Sequence, residues 1–366
     1  MTGDQVSGIR LERIRASPQF AEGRFVNRYP SQSIPASPGD AAARPDIRGF
    51  LFGGEDRRPV GPLPAIDPRD IWRHPIDTGL RATWLGHSTV LLEIDGRRVL
   101  TDPVWGQRAS PLSFLGPKRF QPVPIAIADL PPLDAVLISH DHYDHLDYSS
   151  VRALAALGVP FVTSLGVGAR LQDWGIAAEH ITELDWWETA DLAGGLTFTA
   201  APAQHFSGRG LGDRNATLWS SFSVQGERHR VFFSGDTGLS TAFAEIGRRL
   251  GPFDLVLIEV GAFHPSWGGV HLGPDNALLA WQQLGSGRFM PVHWGTFNLA
   301  MHPWYQPAEV LLANAAERGL VMPRLGQPVE PAQVTGVEPW WRGLVESGRK
   351  RGRTFRGRKA CLHPVS

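Results

Sequence analysis

Regular hydrophobic patterning starts at Arg81. The runs ATWLGHSTVLLEI (82–94) and RRVLTD (97–102) read as two strands joined by a turn at Asp95-Gly96. The next run, DAVLI (134–138), is short, apolar and β-branched, as a strand covered on both faces should be. Further strand-like runs lie at 160–164, 196–200, 218–224, 230–235, 254–260 and 288–294. Between them, apolar residues recur at helical spacing over Ser149–Ala156, Val167–Trp174, Thr241–Leu250, Pro274–Leu284 and Pro307–Arg318. Hairpin strands followed by alternating strands and helices predict an α/β fold of two helix-covered sheets, a four-layer αββα sandwich. Residues 1–80 are rich in Pro, Gly, Arg and Ser with little periodicity, and predict an irregular, extended N-terminal arm. The patterned body runs over 81–343, and 344–366 form a basic tail.

Composition narrows the classes. A chain of 366 residues fits one large domain or one domain with an extension. Hydrophobic residues at 42% and charged residues at 20% exclude wholesale disorder. Thirty-six basic residues balance 36 acidic ones, which argues against a general nucleic-acid binder. The balance conceals RKRGRTFRGRK (349–359), which reads as a solvated tail or as a contact for anionic lipid or nucleic acid. No run approaches the ~20 apolar residues of a membrane span. The opening MTGDQVSGIR lacks the apolar core of a secretory signal. With the lone thiol of Cys361, these features predict a cytoplasmic protein, and peripheral membrane contact through its tail or arm is left open. Cys361 also excludes an internal disulfide and a Cys-rich metal site.

Histidine placement carries the chemistry. Directly after the 134–138 run comes His140-Asp141-His142-Tyr143-Asp144-His145. A helix would fan these side chains around its axis. In a loop leaving a strand end, His140 and His142 converge on one cation, and Asp144 and His145 turn toward a second. Imidazole and carboxylate ligands suit Zn²⁺, with Mn²⁺ or Fe²⁺ as alternatives. His205 in PAQHFSGRG, Asp236 in SGDTG and His293 in VHWGTF each follow a strand-like run, at the rim where layered α/β folds bind ligands. Small residues beside Asp236 let the backbone approach closely. The set assigns His140, His142 and His205 to one metal and Asp144, His145 and His293 to the other. Asp236 lends one oxygen to each.

Asp102 ends a strand and is a candidate to orient a ligating histidine. Asp144 and His271 are the catalytic candidates. His271 either contacts the substrate or is a surface residue ahead of a helix. His87 lines the site or satisfies a strand-end turn. Asp141 and Tyr143 shape the loop, and His264 and His302 are weaker candidates. Trp186 and Trp187 read as core. Trp267 and Trp304 stay open between core and an apolar cleft rim.

The H-x-H-x-D-H run with the later His, Asp and His resembles the metallo-β-lactamase superfamily. WLGHSTVLLE (84–93), LTDPVW (100–105), RASPLSFLGPKRF (108–120), LISHDHYDHLDY (137–148), ELDWWE (183–188), FFSGDTG (232–238), IGRRLGPFDL (246–255) and HWGTFNLA (293–300) resemble, more narrowly, the N-acylphosphatidylethanolamine-hydrolysing phospholipase D family. The resemblance spans roughly residues 80–300. It implies two zinc ions held by the seven ligands and phosphodiester hydrolysis by a metal-bridging hydroxide. The implied substrate is an N-acylated phospholipid or a smaller phosphodiester. A homodimer is left open, and no specific nucleic-acid partner is expected. GAFHPSWGGVHLGP (261–274) is shorter than its counterpart in the animal enzymes and is expected to border the cleft. A di-metal lactonase or other ester hydrolase, and a non-catalytic binding relative, stand as alternatives.

Overall fold

A computed structural model describes residues 8–32, 56–112, 114–192, 194–264 and 269–347. The basic run 349–359 and Trp267 lie outside them.

The arm is less irregular than its composition predicts. Ile9–Ala16 form helix α1, and Phe20–Ala21 (β1) pairs antiparallel with Arg24–Phe25 (β2). What holds it is tertiary, so it leaves no periodic trace in sequence. Ile14 and Phe25 are buried with Leu165, Trp186, Leu218 and Trp219. Arg10 pairs with Glu183, and Arg13 with Glu188.

One sheet takes β3 (Leu80–Gly86), β4 (Thr89–Ile94), β5 (Arg97–Thr101), β6 (Ala135–Ile138), β7 (Phe161–Ser164), β8 (Ile181–Leu184) and β15 (Pro328–Val329). Its spatial order is β15-β3-β4-β5-β6-β7-β8. The other takes β9 (Thr189–Leu192), β10 (Leu196–Ala201), β11 (Ser221–Gln225), β12 (Arg230–Phe233), β13 (Leu255–Glu259) and β14 (Arg288–Val292), in the order β14-β13-β12-β11-β10-β9. Strand alternation divides the core. Val90, Leu92, Ile94, Ala135 and Leu137 face the second sheet's Phe198, Phe222 and Val224 in one cluster. Their neighbours Leu91, Val136 and Ile138 join a separate cluster with Val151 and Leu154 of helix α2 (Tyr148–Ala155) and Val167 and Leu171 of helix α3 (Val167–Asp173). Helices α4 (Ala242–Leu250), α5 (Gly273–Leu284) and α6 (Gln306–Ala315) cover the second sheet through Phe243, Ile246, Trp281 and Leu311. Each such aliphatic or aromatic side chain stabilises by about 1.5–3 kcal/mol when buried. The expected four-layer α/β sandwich is therefore present.

Three details differ from the pattern. ATWLGHSTVLLEI is two strands, because β3 and β4 fold back on each other with Gly86 opposite Thr89. The run is apolar on both sides of the reversal, so hydrophobicity does not mark it. Gly86 (φ 112°) and His87 (φ 53°) supply the left-handed backbone it needs. Strands β8, β9 and β15 are short or only half-buried and carry little apolar signal. Leu344 and Val345 pack on the core beside the buried Trp340 and Trp341, so the body continues past 343.

Direction decides what the fold positions. Strands β5 to β8 run parallel, as do β12 to β14. The β3–β4 reversal lies beside the end of β5, where Val90 pairs with Thr101. Two antiparallel steps from β12 through β11 bring β10 back to the same sense. The residues just beyond β5, β6, β10, β12, β13 and β14 therefore belong to one edge of the sandwich.

Candidate metal centre

That edge gathers Asp102 after β5, His140–His145 after β6, His205 after β10, Asp236 after β12, Glu259 at the end of β13 and His293 after β14. Close backbone approach permits it. A Cβ on Gly235 would meet the Ser139 side chain at 2.7 Å and the Ser220 carbonyl at 3.0 Å. His87, Asp102 and His293 all adopt positive φ, an uncommon conformation for residues with side chains.

Two groups of donor atoms form, each within 4.8 Å of one another: His140, His142, His205 and Asp236, and His87, Asp144, His145 and His293. Asp236 joins them, with its Oδ2 at 3.2 Å from both His145 Nε2 and His293 Nε2. A third group, Asp236, Glu259, His271 and His293, adjoins these.

Hydrogen bonds set the imidazole tautomers. His205 Nδ1 lies 2.8 Å from the Val270 carbonyl, which can only accept. His145 Nδ1 lies 2.6 Å from Asp102 Oδ2. Ser139 Oγ donates to the same carboxylate oxygen at 2.6 Å, so it accepts from His140 Nδ1 at 2.9 Å. In His140 and His205 the proton sits on Nδ1 and the Nε2 lone pair faces the cluster, while His145 keeps its Nδ1 proton on Asp102 and turns Nε2 toward the cluster. His140 Nε2 and His205 Nε2 then converge on His142 Nδ1 at 2.9 and 3.2 Å.

The electrostatics demand positive charge. Burial pushes His140 and His205 well below the ordinary imidazole pKa and favours their neutral, ligating form. Burial opposes charge on His145 too, but Asp236, Asp144 and Asp102 outweigh it and hold it well above. Burial is likewise outweighed at His293, which Asp236 and Asp144 push up to about 10. Burial of Asp144 and Asp236 is overridden by His145 and neighbouring imidazoles, which keep both carboxyls well below the usual range. Asp102 goes the other way, raised by burial despite its bonds from His145 and Ser139.

A divalent metal pair fits this donor set. Among the described residues, the buried His145 Nε2 and Asp236 Oδ1 have no hydrogen-bond partner, which is costly unless a ligand satisfies them. Asp144, Asp236 and Glu259 are collected among imidazoles, a carboxylate and imidazole donor set that suits divalent metal.

A family model described as "Beta-lactamase superfamily domain" matches residues 97–294. The chain belongs to the metallo-β-lactamase superfamily. Within this superfamily it is 45% identical to an uncharacterized protein of Mycobacterium tuberculosis, over 89% of this chain and 88% of that one. It is 42% identical to N-acyl-phosphatidylethanolamine-hydrolyzing phospholipase D 1 of Caenorhabditis elegans, over 63% of this chain and 67% of that one. The solved structure of an isothiocyanate hydrolase from Delia radicum gut bacteria shares the fold, with a TM-score of 0.56, 20% identity, and coverage of 68% of this chain and 98% of that one. The chain is thus a metal-dependent hydrolase of the superfamily, close to the N-acylphosphatidylethanolamine-hydrolysing enzymes.

All seven residues read from sequence as ligands come together. His87 is the addition: its Nε2 stands 3.0 Å from Asp144 Oδ2, and it lies in the second donor group rather than merely at a turn. Asp102, expected to orient a ligating histidine, meets His145. His271 faces the cluster, with Nδ1 at 3.1 Å from Glu259 Oε1 and 4.0 Å from Asp236 Oδ2. Asp141 is held by Arg170 and accepts from Gly208 N, a loop-shaping role. Trp186 is buried in the core. Trp304 is buried against Trp340 and borders a crevice that reaches His293.

Two contributors were missed. Glu259 is the last residue of β13 and the penultimate one of the run DLVLIEV (254–260), and the strand-end rule that found Asp236 extends to it. It accepts from Thr237 N and Leu272 N and so ties three site loops together. Asn27 sits in the arm, where no signal marks it. Its side chain donates to the His205 carbonyl and accepts from the His205 N–H. The family-like motifs have a shared purpose here. His87 N donates to Thr296 Oγ1, His293 N to His87 O, and Phe120 N to Thr296 O, which clamps WLGHS, HWGTF and GPKRF together.

Asp102→Asn tests the orientation of His145. Metal affinity and turnover are expected to fall roughly 10- to 100-fold, read by chelator competition and initial rates. Wild-type values for both would remove Asp102 from this role.

Proposed function

We propose that the protein is a di-zinc phosphodiesterase of phospholipase D type, acting on N-acylphosphatidylethanolamine-like or related phosphodiesters. The observation that carries this reading is the pair of donor groups joined through Asp236. Its ligands are His140, His142, His205 and Asp236 for one ion, and Asp144, His145, His293 and Asp236 for the other, with His87 beside Asp144. The 42% identity to the C. elegans enzyme supports the phosphodiester substrate.

A bound pair of cations would supply Lewis acidity for a phosphoryl oxygen and an activated nucleophilic water. The chain's own residues do the rest. Asp102 fixes the His145 ring, and Val270 and Asn27 fix His205. Glu259, itself locked by backbone N–H groups, holds His271 at Nδ1. Burial disfavours a proton on His271, but Glu259 outweighs it and raises the pKa. We assign His271 the proton delivered to the leaving alkoxide.

Metal analysis with a substrate panel tests the reading. About two zinc per chain are expected, with hydrolysis of N-acylphosphatidylethanolamine to phosphatidic acid and cleavage of a chromogenic phosphodiester. A fully loaded protein that opens lactones and leaves every phosphodiester intact would replace this reading with the ester-hydrolase alternative.

A further inference from the structure

Between His140 and His142 sits Asp141, a carboxylate that belongs to none of the three donor groups. It is buried, and so are Arg170 of α3 and Asp213. The Arg170 guanidinium spans both acids. Its Nε donates to Asp141 Oδ2 at 2.6 Å, and a terminal nitrogen donates to Asp213 Oδ2 at 2.7 Å. The remaining oxygens are used as well: Asp141 Oδ1 accepts from Gly208 N, and Asp213 Oδ1 accepts from Gly210 N, both at 2.8 Å. Desolvating three charges offsets much of their mutual attraction, so a buried triad of this kind is weak evidence for stability alone. What it joins is more telling.

Asp141 lies on the loop after β6, next to two ligands, His140 and His142. Asp213, Gly208 and Gly210 lie on the loop after β10, which carries a third, His205. Arg170 stands on a helix outside both loops and grips each by a carboxylate. Arg209 adds a second tie, donating from the His205 loop to the carbonyls of Asp141 and Leu146. The three ligands joined in this way belong to one donor group. Across the junction, His142 Nδ1 lies 3.2 Å from His205 Nε2. The other donor group is braced by different residues: Asp102 holds the His145 ring, and His87 O accepts from His293 N.

We propose that Arg170 is a positioning residue for one cation of the pair, a rigid fork that sets the spacing of the His140–His142 loop from the His205 loop. The planar guanidinium suits the task because it holds two carboxylates at a fixed separation. A lysine ammonium keeps the charge but is a point donor on a flexible stem, so it cannot hold that separation. The proposal rests on the two-cation reading of the site and is independent of the substrate. A purely structural triad would act on the packing of α3 and touch both cations alike.

The test is stepwise Co²⁺ loading of the metal-free full chain, with chelator competition, for wild type, Arg170→Lys, Asp141→Asn and Asp102→Asn. Hyperfine-shifted imidazole N–H resonances identify the ion concerned, because the Nδ1 protons of His140 and His205 report one and that of His145 reports the other. Arg170→Lys and Asp141→Asn are each expected to weaken the His140–His142–His205 ion roughly 10- to 100-fold, with the other ion at its wild-type affinity. Asp102→Asn should show the reverse. Asp141→Asn retains an acceptor for Gly208 N and leaves Arg170 paired with Asp213, so the outcome does not hang on Arg170→Lys folding. Equal weakening of both ions in the two fork variants would overturn the proposal, and so would wild-type affinity for both. A wild-type chain that takes up no cation would remove the metal centre itself, and the role of the fork with it.

Discussion

Asp236→Asn is expected to lower turnover roughly a thousandfold or more, the equivalent of about 4 kcal/mol of transition-state stabilisation. The substitution preserves size and shape, so packing around β12 should survive. What it removes is the charge shared between the two donor groups, 3.2 Å from both His145 and His293. The same two rings lean on that carboxylate for their raised pKa values. Metal content should therefore fall below two per chain while circular dichroism and thermal midpoint stay near those of the metal-free wild type. An Asp236→Asn variant that retained both metals and full turnover would sever Asp236 from the site.

Chelation should abolish activity and also destabilise the fold. Metal bound about a thousandfold above its dissociation constant contributes about 4 kcal/mol to stability. Its removal should lower the thermal midpoint by roughly 5–15 °C for a domain of this size. Protons would then compete for the same donors. His293, at about 10, and His145, held well above its ordinary value, must lose protons before they can ligate. Re-adding zinc should consequently release protons at neutral pH, and apparent affinity should rise as pH rises toward 10. Unbuffered titration and scanning calorimetry read both effects. An unchanged midpoint after complete metal removal would show that the cluster is satisfied by protons alone.

Much of the site was legible because of a position rule. Strands covered on both faces are apolar throughout, so a His or Asp immediately after one is conspicuous and belongs to a sheet edge. That rule found His205, Asp236 and His293 beside the H-x-H-x-D-H run, and extended to the last residue of a strand it takes in Glu259. It could not find Asn27, whose bond to His205 spans 178 residues of chain. It also under-read His87, because an unbroken apolar run hid the β3–β4 reversal that carries it to the cluster.

The chain by itself determined the alternation that separates inter-sheet from helix-facing side chains, the order of strands and helices, and the donor types at strand ends. Those are local properties, set by side-chain period and by residue chemistry. Tertiary structure alone decided the tautomers, through the acceptors at Val270 and Asp102, and the joining of two donor groups at Asp236. It alone ordered residues 9–25 of the arm against the body. These depend on which distant groups meet, and burial and hydrogen bonding between such groups leave no period along the chain.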